Sequence, residues 1–230
     1  MLRGLYRYPV KSLTGETLDD ARIDGRGLTG DRRWSVRDAD GKLGSGKSTR
    51  RFRRMDGLLL LAAHYEGEVP VVEFPDGRRQ RGDDDSVHEA LAAYVGRPVR
   101  LEVEDSISHF DEGPIHLVTS ATLRALAAAH ANPVDVRRLR PNLLVDTVER
   151  SGFVEHGWIG HRLAIGNDVV LRIRAGMPRC VMLNLPQRGL AGDADLLRTA
   201  TRANGVEVGV VADVLESGDV KTGDPVRFEV

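Results

Sequence analysis

Short apolar stretches separated by turn residues run along the whole chain of 230 residues. Many of them are rich in β-branched and aromatic side chains, which is typical of strands. Turn signals such as Asp-Gly and Pro-Asp-Gly follow several of them. The pattern predicts two strands in the tail, joined by a turn at residues 217–219. It predicts further strands at residues 2–10, 33–37, 69–74, 98–104, 142–146, 163–165 and 169–173.

Three segments carry a helical pattern with start and stop signals, at residues 86–95, 121–130 and 194–204. Ser86 with Glu89 three residues later is the pattern of a capping box, and Gly96 marks the end of that helix. Thr119 or Ser120 can cap the second helix. Many short strands and few helices predict an α+β, β-dominated fold with barrel-like sheets.

Composition and charge are those of an ordinary globular protein. Hydrophobic residues make up 41% and charged residues 29%, and the net charge is −1, which predicts neither a nucleic-acid nor a membrane partner. No apolar stretch approaches the ~20 residues of a membrane helix, and the first residues lack the apolar core of a signal peptide. We therefore expect a cytoplasmic protein. A polar, turn-rich segment at 105–114 predicts a boundary between one unit at residues 1–104 and another at 105–230.

The stretch Gly41–Ser48, GKLGSGKS, fits the phosphate-binding loop G-x-x-x-x-G-K-[ST] of nucleotide hydrolases. Such a loop follows a buried strand and precedes a helix, whose N-terminus helps to bind phosphate. Here a polar turn precedes it, and the Arg-rich segment Thr49–Arg54 that follows cannot form the apolar face of a buried helix. A nucleotide hydrolase is therefore the weakest hypothesis. The stretch is either a basic loop that reaches an anionic ligand held elsewhere or a solvated hairpin tip.

Three other patches combine turn residues with side chains that suit phosphate. They are YPVKS with Lys11 and Ser12, GLTGDRRW with Arg32, and RPN with Arg140 and Asn142. Lysine offers a point charge, and arginine offers a planar fork that matches phosphate oxygens. Each patch alone is equally consistent with a surface salt bridge or a turn.

The only cysteine, Cys180, follows Arg179. A single cysteine excludes an intrachain disulfide, and it excludes a Cys-rich zinc site or iron–sulfur cluster built by this chain alone. A positive charge beside a cysteine favours the thiolate form, which ligates soft or redox-active metals. The residues themselves leave two interpretations open, a small buried apolar side chain and a reactive thiolate.

Six motifs in a fixed order carry a family resemblance: YPVKS, GLTGDRRW, RRLRPNLLVD, FVEHGWIG, RCVMLNLPQ and GDPV. The chain resembles the MOSC domain family, named for the C-terminal domain of molybdenum cofactor sulfurases. It is most similar to members with an added N-terminal β-barrel, among them the mitochondrial amidoxime-reducing component and its bacterial relatives. The resemblance spans nearly the whole chain. It implies an N-terminal MOSC-associated β-barrel domain followed by a MOSC β-barrel domain with a few helices.

The resemblance also implies an activity. The chain would be a molybdenum-dependent oxidoreductase that reduces N-hydroxylated small molecules with electrons from a separate ferredoxin- or cytochrome-type protein. Cys180 would be the catalytic residue that ligates molybdenum. The alternative is a non-catalytic carrier, storage or sulfur-delivery module for the same cofactor. The molybdenum–pterin cofactor (molybdopterin) would be bound by Lys11, Ser12, Arg32, Thr119, Ser120, Arg140, Asn142 and Arg179.

Three departures from the family pattern concern the substrate, and one of them is the Arg-rich segment Thr49–Arg54, which differs in detail. Leu13 stands where the family often has cysteine, and Val-Met-Leu-Asn-Leu-Pro-Gln follows Cys180 in place of a Thr-rich run. The expected cofactor site is unchanged by these departures, and the substrate stays open.

Overall fold

The computed structural model describes residues 1–148 and 150–229. Within them lie three helices, α1 Ser86–Val95, α2 Ser120–His130 and α3 Leu196–Asn204. The strands of the first half are β1 Leu2–Arg7, β2 Glu16–Leu18, β3 Asp20–Asp24, β4 Gly27–Leu28, β5 Trp34–Asp38, β6 Leu43–Ser45, β7 Phe52–Arg54, β8 Ala62–Glu66, β9 Val69–Glu73, β10 Arg79–Arg81 and β11 Val99–Val103. Those of the second half are β12 Ile115–Thr119, β13 Leu143–Val145, β14 Arg162–Ile165, β15 Val169–Pro178, β16 Glu207–Glu216, β17 Gly218–Lys221 and β18 Val226–Glu229.

These strands form one large sheet and three small ones. The large sheet has eight strands in the order β18-β14-β15-β16-β12-β13-β1-β2. The small sheets have the orders β11-β5-β6-β7, β10-β9-β8 and β17-β3-β4. Within the large sheet only β12 and β13 run parallel in the described part of the chain. The predicted α+β, β-dominated class is confirmed.

The two largest hydrophobic cores do not follow the order of the chain. Leu2 and Leu5 of β1 pack into a core whose other members come mostly from the C-terminal half. Val10 and Leu13 pack into a different core, built from residues up to 101. The segment 8–12 therefore lies where the chain passes from one core to the other. The division of the chain at residue 104 stays a prediction.

Helix α1 is stopped as the sequence predicts but started differently. Gly96 ends the helix in the left-handed conformation, with φ of 71°. The predicted capping box is wrong, because Asp85 occupies the N-cap position and the Ser86 hydroxyl donates to Gln80. The carboxylate of Asp84 accepts the backbone N–H of Ser86 instead.

The predicted turn at residues 217–219 is also wrong. Gly218 begins β17, which pairs antiparallel with β3 from the start of the chain, and the turn lies at Thr222 and Gly223. A Ser-Gly-Asp sequence predicts a turn locally, but its pairing with a strand some 200 residues away overrides that preference.

The stretch Gly41–Ser48 lacks the context of a phosphate-binding loop, as expected from the sequence. Its middle is β6, which pairs parallel with β7 only a few residues later. Thr49–Arg54 forms a turn and a strand, and within the described residues the next helical segment is a short 3-10 turn at Leu58–Leu60. No helix N-terminus therefore follows the motif.

No helix in the described part of the chain is long and apolar enough to cross a membrane.

Gly209 in β16 is expected to tolerate no side chain. It has a φ of +79°, and a Cβ there would lie 2.7 Å from the carbonyl oxygen of Leu117 and 2.6 Å from His116 Nε2. We expect Gly209→Ala to lower the free energy of unfolding by about 2–4 kcal/mol, the sum of left-handed strain and overlap. Urea denaturation measures it, with Gly205→Ala as the control. Gly205 has a φ of +60° and open space around it, so its loss is expected to be about 1 kcal/mol. Equal losses in the two variants would contradict the overlap.

Candidate functional site

One cleft collects most of the residues that the sequence predicts for cofactor binding. We call it the central cleft. Segments from both halves of the chain line it, with a cavity volume of about 170 Å³. Seven of the nine predicted site residues lie in its wall, namely Lys11, Ser12, Arg32, Arg140, Asn142, Arg179 and Cys180.

The backbone of the central cleft is held in an unfavourable conformation. Five non-glycine residues in the described chain have positive φ, and three of them line the cleft: Ser12 at 66°, Arg32 at 50° and Arg140 at 52°. Such conformations cost of order 1–3 kcal/mol each and persist where surrounding contacts enforce them. The Arg32 N–H donates to the Tyr8 carbonyl at 2.7 Å, for example. Strain concentrated in one cleft points to a functional role for that cleft.

Two guanidinium groups meet at the buried ring of Tyr8. The Arg140 and Arg32 groups lie 4.3 and 4.7 Å from its centroid. Arg32 pairs with the buried carboxylate of Asp31. Arg140 Nη1 donates to the Leu13 carbonyl at 2.7 Å, whereas its buried Nη2 has no partner among the described atoms. Burial lowers the pKa of Arg140 to about 10, so the guanidinium stays charged at neutral pH. A charged group with an unsatisfied N–H is suited to bind an anion.

A second unsatisfied guanidinium lies next to the cysteine. Arg179 Nη2 donates to the Leu139 carbonyl, and its Nε is buried without a partner in the described structure. His116 Nδ1 lies 3.2 Å from the Arg140 carbonyl, so it donates there and leaves Nε2, 3.4 Å from Arg179 Nη1, as an acceptor. Burial and the charge of Arg179 lower the pKa of His116 well below its usual value, which keeps the ring neutral. Cys180 follows at the end of β15, partly exposed.

Ser12 and Asn142 line the cleft, but their polar atoms are bound to the backbone. Ser12 Oγ donates to the Gly44 carbonyl at 2.9 Å. Asn142 Oδ1 accepts from the His116 N–H at 3.1 Å, and its Nδ2 donates to the Tyr6 carbonyl at 3.3 Å. The two side chains therefore fix the shape of the cleft.

Thr119 and Ser120 lie outside the central cleft. Thr119 Oγ1 caps α2 by accepting the Thr122 N–H, and it donates to the buried carboxylate of Glu155 at 2.7 Å. Ser120 Oγ donates to Asp146 at 2.7 Å. These hydroxyls support the start of α2, so the structure does not group them with the other predicted site residues.

The structure adds cleft residues that the sequence did not single out. Lys47 comes from the stretch GKLGSGKS, and Asp111 and His116 come from the segment predicted as a boundary and the strand after it. The glycines and lysine of the stretch were a usable signal, since they predict a loop able to reach an anionic ligand. No local pattern marks the other two, because their role depends on which distant cations they face.

The arginine N–H groups and the single thiol of the cleft suit a ligand that carries both a phosphate group and a metal. Within the described residues no three His, Cys, Asp or Glu side chains come close enough together to hold a metal ion by themselves. A metal held through Cys180 would need its other ligands from a cofactor. The unsatisfied N–H groups of Arg140 and Arg179 in the same cleft suit the anionic part of such a cofactor.

Comparison with known proteins identifies the domains of the chain. The MOSC domain family matches residues 96–227, and the MOSC N-terminal beta barrel domain matches residues 1–82. The molybdenum cofactor sulfurase of Oryza sativa subsp. japonica is 24% identical, over 81% of this chain and 28% of its own length. The mitochondrial amidoxime reducing component 2 of Bos taurus is 23% identical, over 96% of this chain and 81% of its own length.

A solved structure shares the fold. The crystal structure of the YuaD protein from Bacillus subtilis superimposes with a TM-score of 0.51 at 16% identity, covering 98% of this chain and 92% of that one. The chain spans little more than a quarter of the rice relative and about four-fifths of the bovine one. The domain matches together cover most of the sequence, and the chain belongs to the MOSC domain family, with a MOSC N-terminal β-barrel domain ahead of its MOSC domain.

Proposed function

We propose that this protein binds a molybdenum–pterin cofactor in the central cleft and reduces N-hydroxylated small molecules. One observation carries the proposal: a partly exposed thiol, Cys180, shares a cleft with the unsatisfied guanidinium N–H groups of Arg140 and Arg179. A phosphate-bearing ligand would satisfy those groups, and a thiolate is a good ligand for a redox-active metal. The similarity to a relative named amidoxime reducing component supports the choice of substrate class.

The residues of the cleft would divide the work as follows. Cys180 would hold the metal through Sγ, and Arg140, Arg32 and Lys11 would hold the anionic pterin phosphate. Ser12 would keep the loop that follows β1 in place. When bound, the molybdenum–dithiolene group supplies the two-electron redox chemistry that removes oxygen from an N–O bond. The overall change consumes two electrons and two protons, replaces N–OH by N–H and releases water.

The electrons would come from a separate protein of ferredoxin or cytochrome type. Cys180 is the only cysteine, so this chain cannot ligate an iron–sulfur cluster by itself. We therefore expect turnover to require an added donor.

The test is cofactor content followed by activity. In a host that makes the cofactor, we expect about one molybdenum and one pterin per chain. We expect Cys180→Ser to lower the rate of amidoxime reduction by at least about 100-fold, more than the loss of a supporting residue around a metal. Ser120→Ala is the control, because that hydroxyl lies outside the cleft, and it is expected to keep full content and activity. A wild-type protein without molybdenum or pterin would contradict the proposal.

A cofactor carrier or sulfur-delivery module is the second candidate. The rice relative is named a molybdenum cofactor sulfurase, and the partly exposed Cys180 is accessible for transfer. In this case the loaded protein would fail to reduce any N-hydroxylated compound with a competent donor. It would instead restore activity to a cofactor-free acceptor enzyme when the two are mixed.

A further inference from the structure

Three cations lie close to one phenyl ring, and two of them, Lys11 and Lys47, line the central cleft. The Nζ atoms of Lys11 and Lys47 each lie 4.9 Å from the centroid of Phe52, and the Arg51 guanidinium carbon lies 5.3 Å from it. We call these residues, together with Asp111, the rim cluster. The ring of Phe52 is buried, so it is a fixed platform whose face attracts positive charge.

The rim cluster has more positive than negative charge. Asp111 pairs with Lys11 at 2.7 Å and with Lys47 at 3.8 Å, and none of the carboxylates that the structure describes pairs with Arg51. Burial alone would raise the pKa of Asp111, but the two lysines lower it to about 2. The rim cluster therefore holds three cations and one carboxylate, a formal excess of two positive charges.

The loop that supplies Lys47 is packed in place. The Gly46 N–H donates to the sulfur of Met182 at 3.2 Å. A Cβ on Gly46 would lie 2.6 Å from that sulfur and 2.2 Å from Leu185 Cδ1. The loop backbone therefore packs directly against the side chains of Met182 and Leu185. Ser45 and Lys47, on either side of this contact, line the central cleft. Packing thus holds the backbone next to Lys47 in place, which favours a binding role for its side chain.

Like charges that are held close together repel one another, and a bound anion would relieve this repulsion and stabilise the cluster. We propose that Lys47 and Arg51, beside Lys11, form a subsite for a carboxylate or phosphate group of a ligand bound in the central cleft. The inference rests on the proposed function, which it extends. The preferred substrates are N-hydroxylated compounds with an acidic substituent, unless the oxyanion is the phosphate of the cofactor itself. Lys47 and Arg51 are then residues that set substrate specificity.

The subsite can be tested on the cofactor-free protein. The chain has four lysines, Lys11, Lys42, Lys47 and Lys221, so lysine labelled at the ε-carbon gives a readily assigned NMR spectrum. We expect inorganic phosphate and benzoate, added separately at low ionic strength, to shift the signals of Lys11 and Lys47 but not those of Lys42 and Lys221. The double variant Lys47→Gln/Arg51→Gln is expected to raise the dissociation constant about tenfold or more. Lys42→Gln, in the same loop, is the matched control and is expected to change nothing.

The loaded protein then identifies the source of the oxyanion. If the source is the substrate, the double variant keeps its molybdenum and raises KM for a para-carboxylate aryl amidoxime about tenfold more than for the uncharged parent compound. If the source is the cofactor, molybdenum and pterin content fall instead. Unshifted Lys47 signals with both anions, together with unchanged content and KM ratio, would overturn the subsite. Anion binding without any reductase activity would leave the subsite standing and overturn the proposed function.

Discussion

Arg140→Met is expected to remove the cofactor while leaving the fold intact. The Arg140 guanidinium lines the cleft, pairs with no carboxylate in the described structure, and has a buried, unsatisfied Nη2. Truncating a buried donor to a charged ligand costs about 2–5 kcal/mol, so cofactor affinity falls at least about 30-fold. The fold loses a hydrogen bond to the Leu13 carbonyl and the contact with the Tyr8 ring, but it also loses a desolvated charge. These effects oppose each other, so the urea midpoint of the cofactor-free protein is expected to stay close to that of the wild type. Molybdenum content and urea denaturation measure the two effects.

Arg138→Met is the matched comparison. Arg138 also lines the cleft, but its guanidinium donates to the carbonyls of Leu183, Leu185 and Ala191. Removing it leaves the buried Leu183 carbonyl and two partly buried carbonyls without this donor. We therefore expect the free energy of unfolding to fall by roughly 1–3 kcal/mol. The Arg140 variant therefore reports on cofactor binding, and the Arg138 variant reports on the stability of the fold. Equal cofactor content in Arg140→Met and the wild type would contradict the assigned role of Arg140.

Acid is expected to destabilise the protein through His109. The ring is fully buried, and its Nε2 lies 3.0 Å from Arg37 Nη2, which can only donate. Nε2 must therefore accept, and Nδ1 donates to the Arg32 carbonyl at 3.0 Å. Burial lowers the pKa of His109 from 6.5 to about 4. Between these two values the unfolded chain binds the proton more tightly than the folded chain, so stability falls as the pH falls. The full loss is roughly 3 kcal/mol and is complete below about pH 4.

Urea midpoints at pH 7, 5.5 and 4.5 measure the acid effect. His109→Gln keeps an acceptor toward Arg37 but cannot titrate, so its stability is expected to change less over this range than that of the wild type. His161→Gln, a surface position, is the control and is expected to follow the wild type. The Lys11 ammonium donates to the His109 carbonyl, so acid should also loosen one wall of the central cleft. Parallel pH curves for the wild type and His109→Gln would contradict this role.

Much of the fold could be predicted from local pattern. The period of apolar residues located α1 and most strands of the large sheet, and Gly96 marked a helix end because only glycine enters the left-handed conformation at low cost. The errors came where a distant partner decided the local structure. Gly218 joined a strand because β3 offered hydrogen bonds, and Ser86 lost its capping role because Gln80 and Asp84 were in reach.

The sequence predicted which residue types the candidate site contains, but it predicted only in part which of these residues lie next to one another. Lys11, Arg32, Arg140 and Cys180 could be singled out by charge, by chemistry and by the resemblance. Thr119 fits the same description, yet the structure turns its hydroxyl to the buried carboxylate of Glu155. The sequence identifies the hydrogen-bond donors of a chain, but it does not show which of them already donate to other groups of the same protein.

The sequence by itself determined a β-dominated chain with one thiol, several phosphate-suited patches and a family membership. Those properties follow from residue identity and short-range periodicity, which need no knowledge of distant contacts. Only the tertiary structure decided that Arg140 and Arg179 keep unsatisfied N–H groups, and that Lys47 and Lys11 both lie close to the ring of Phe52. Hydrogen-bond satisfaction and charge balance depend on neighbours in space, which can be distant in sequence: Arg140 donates to the carbonyl of Leu13, 127 residues away.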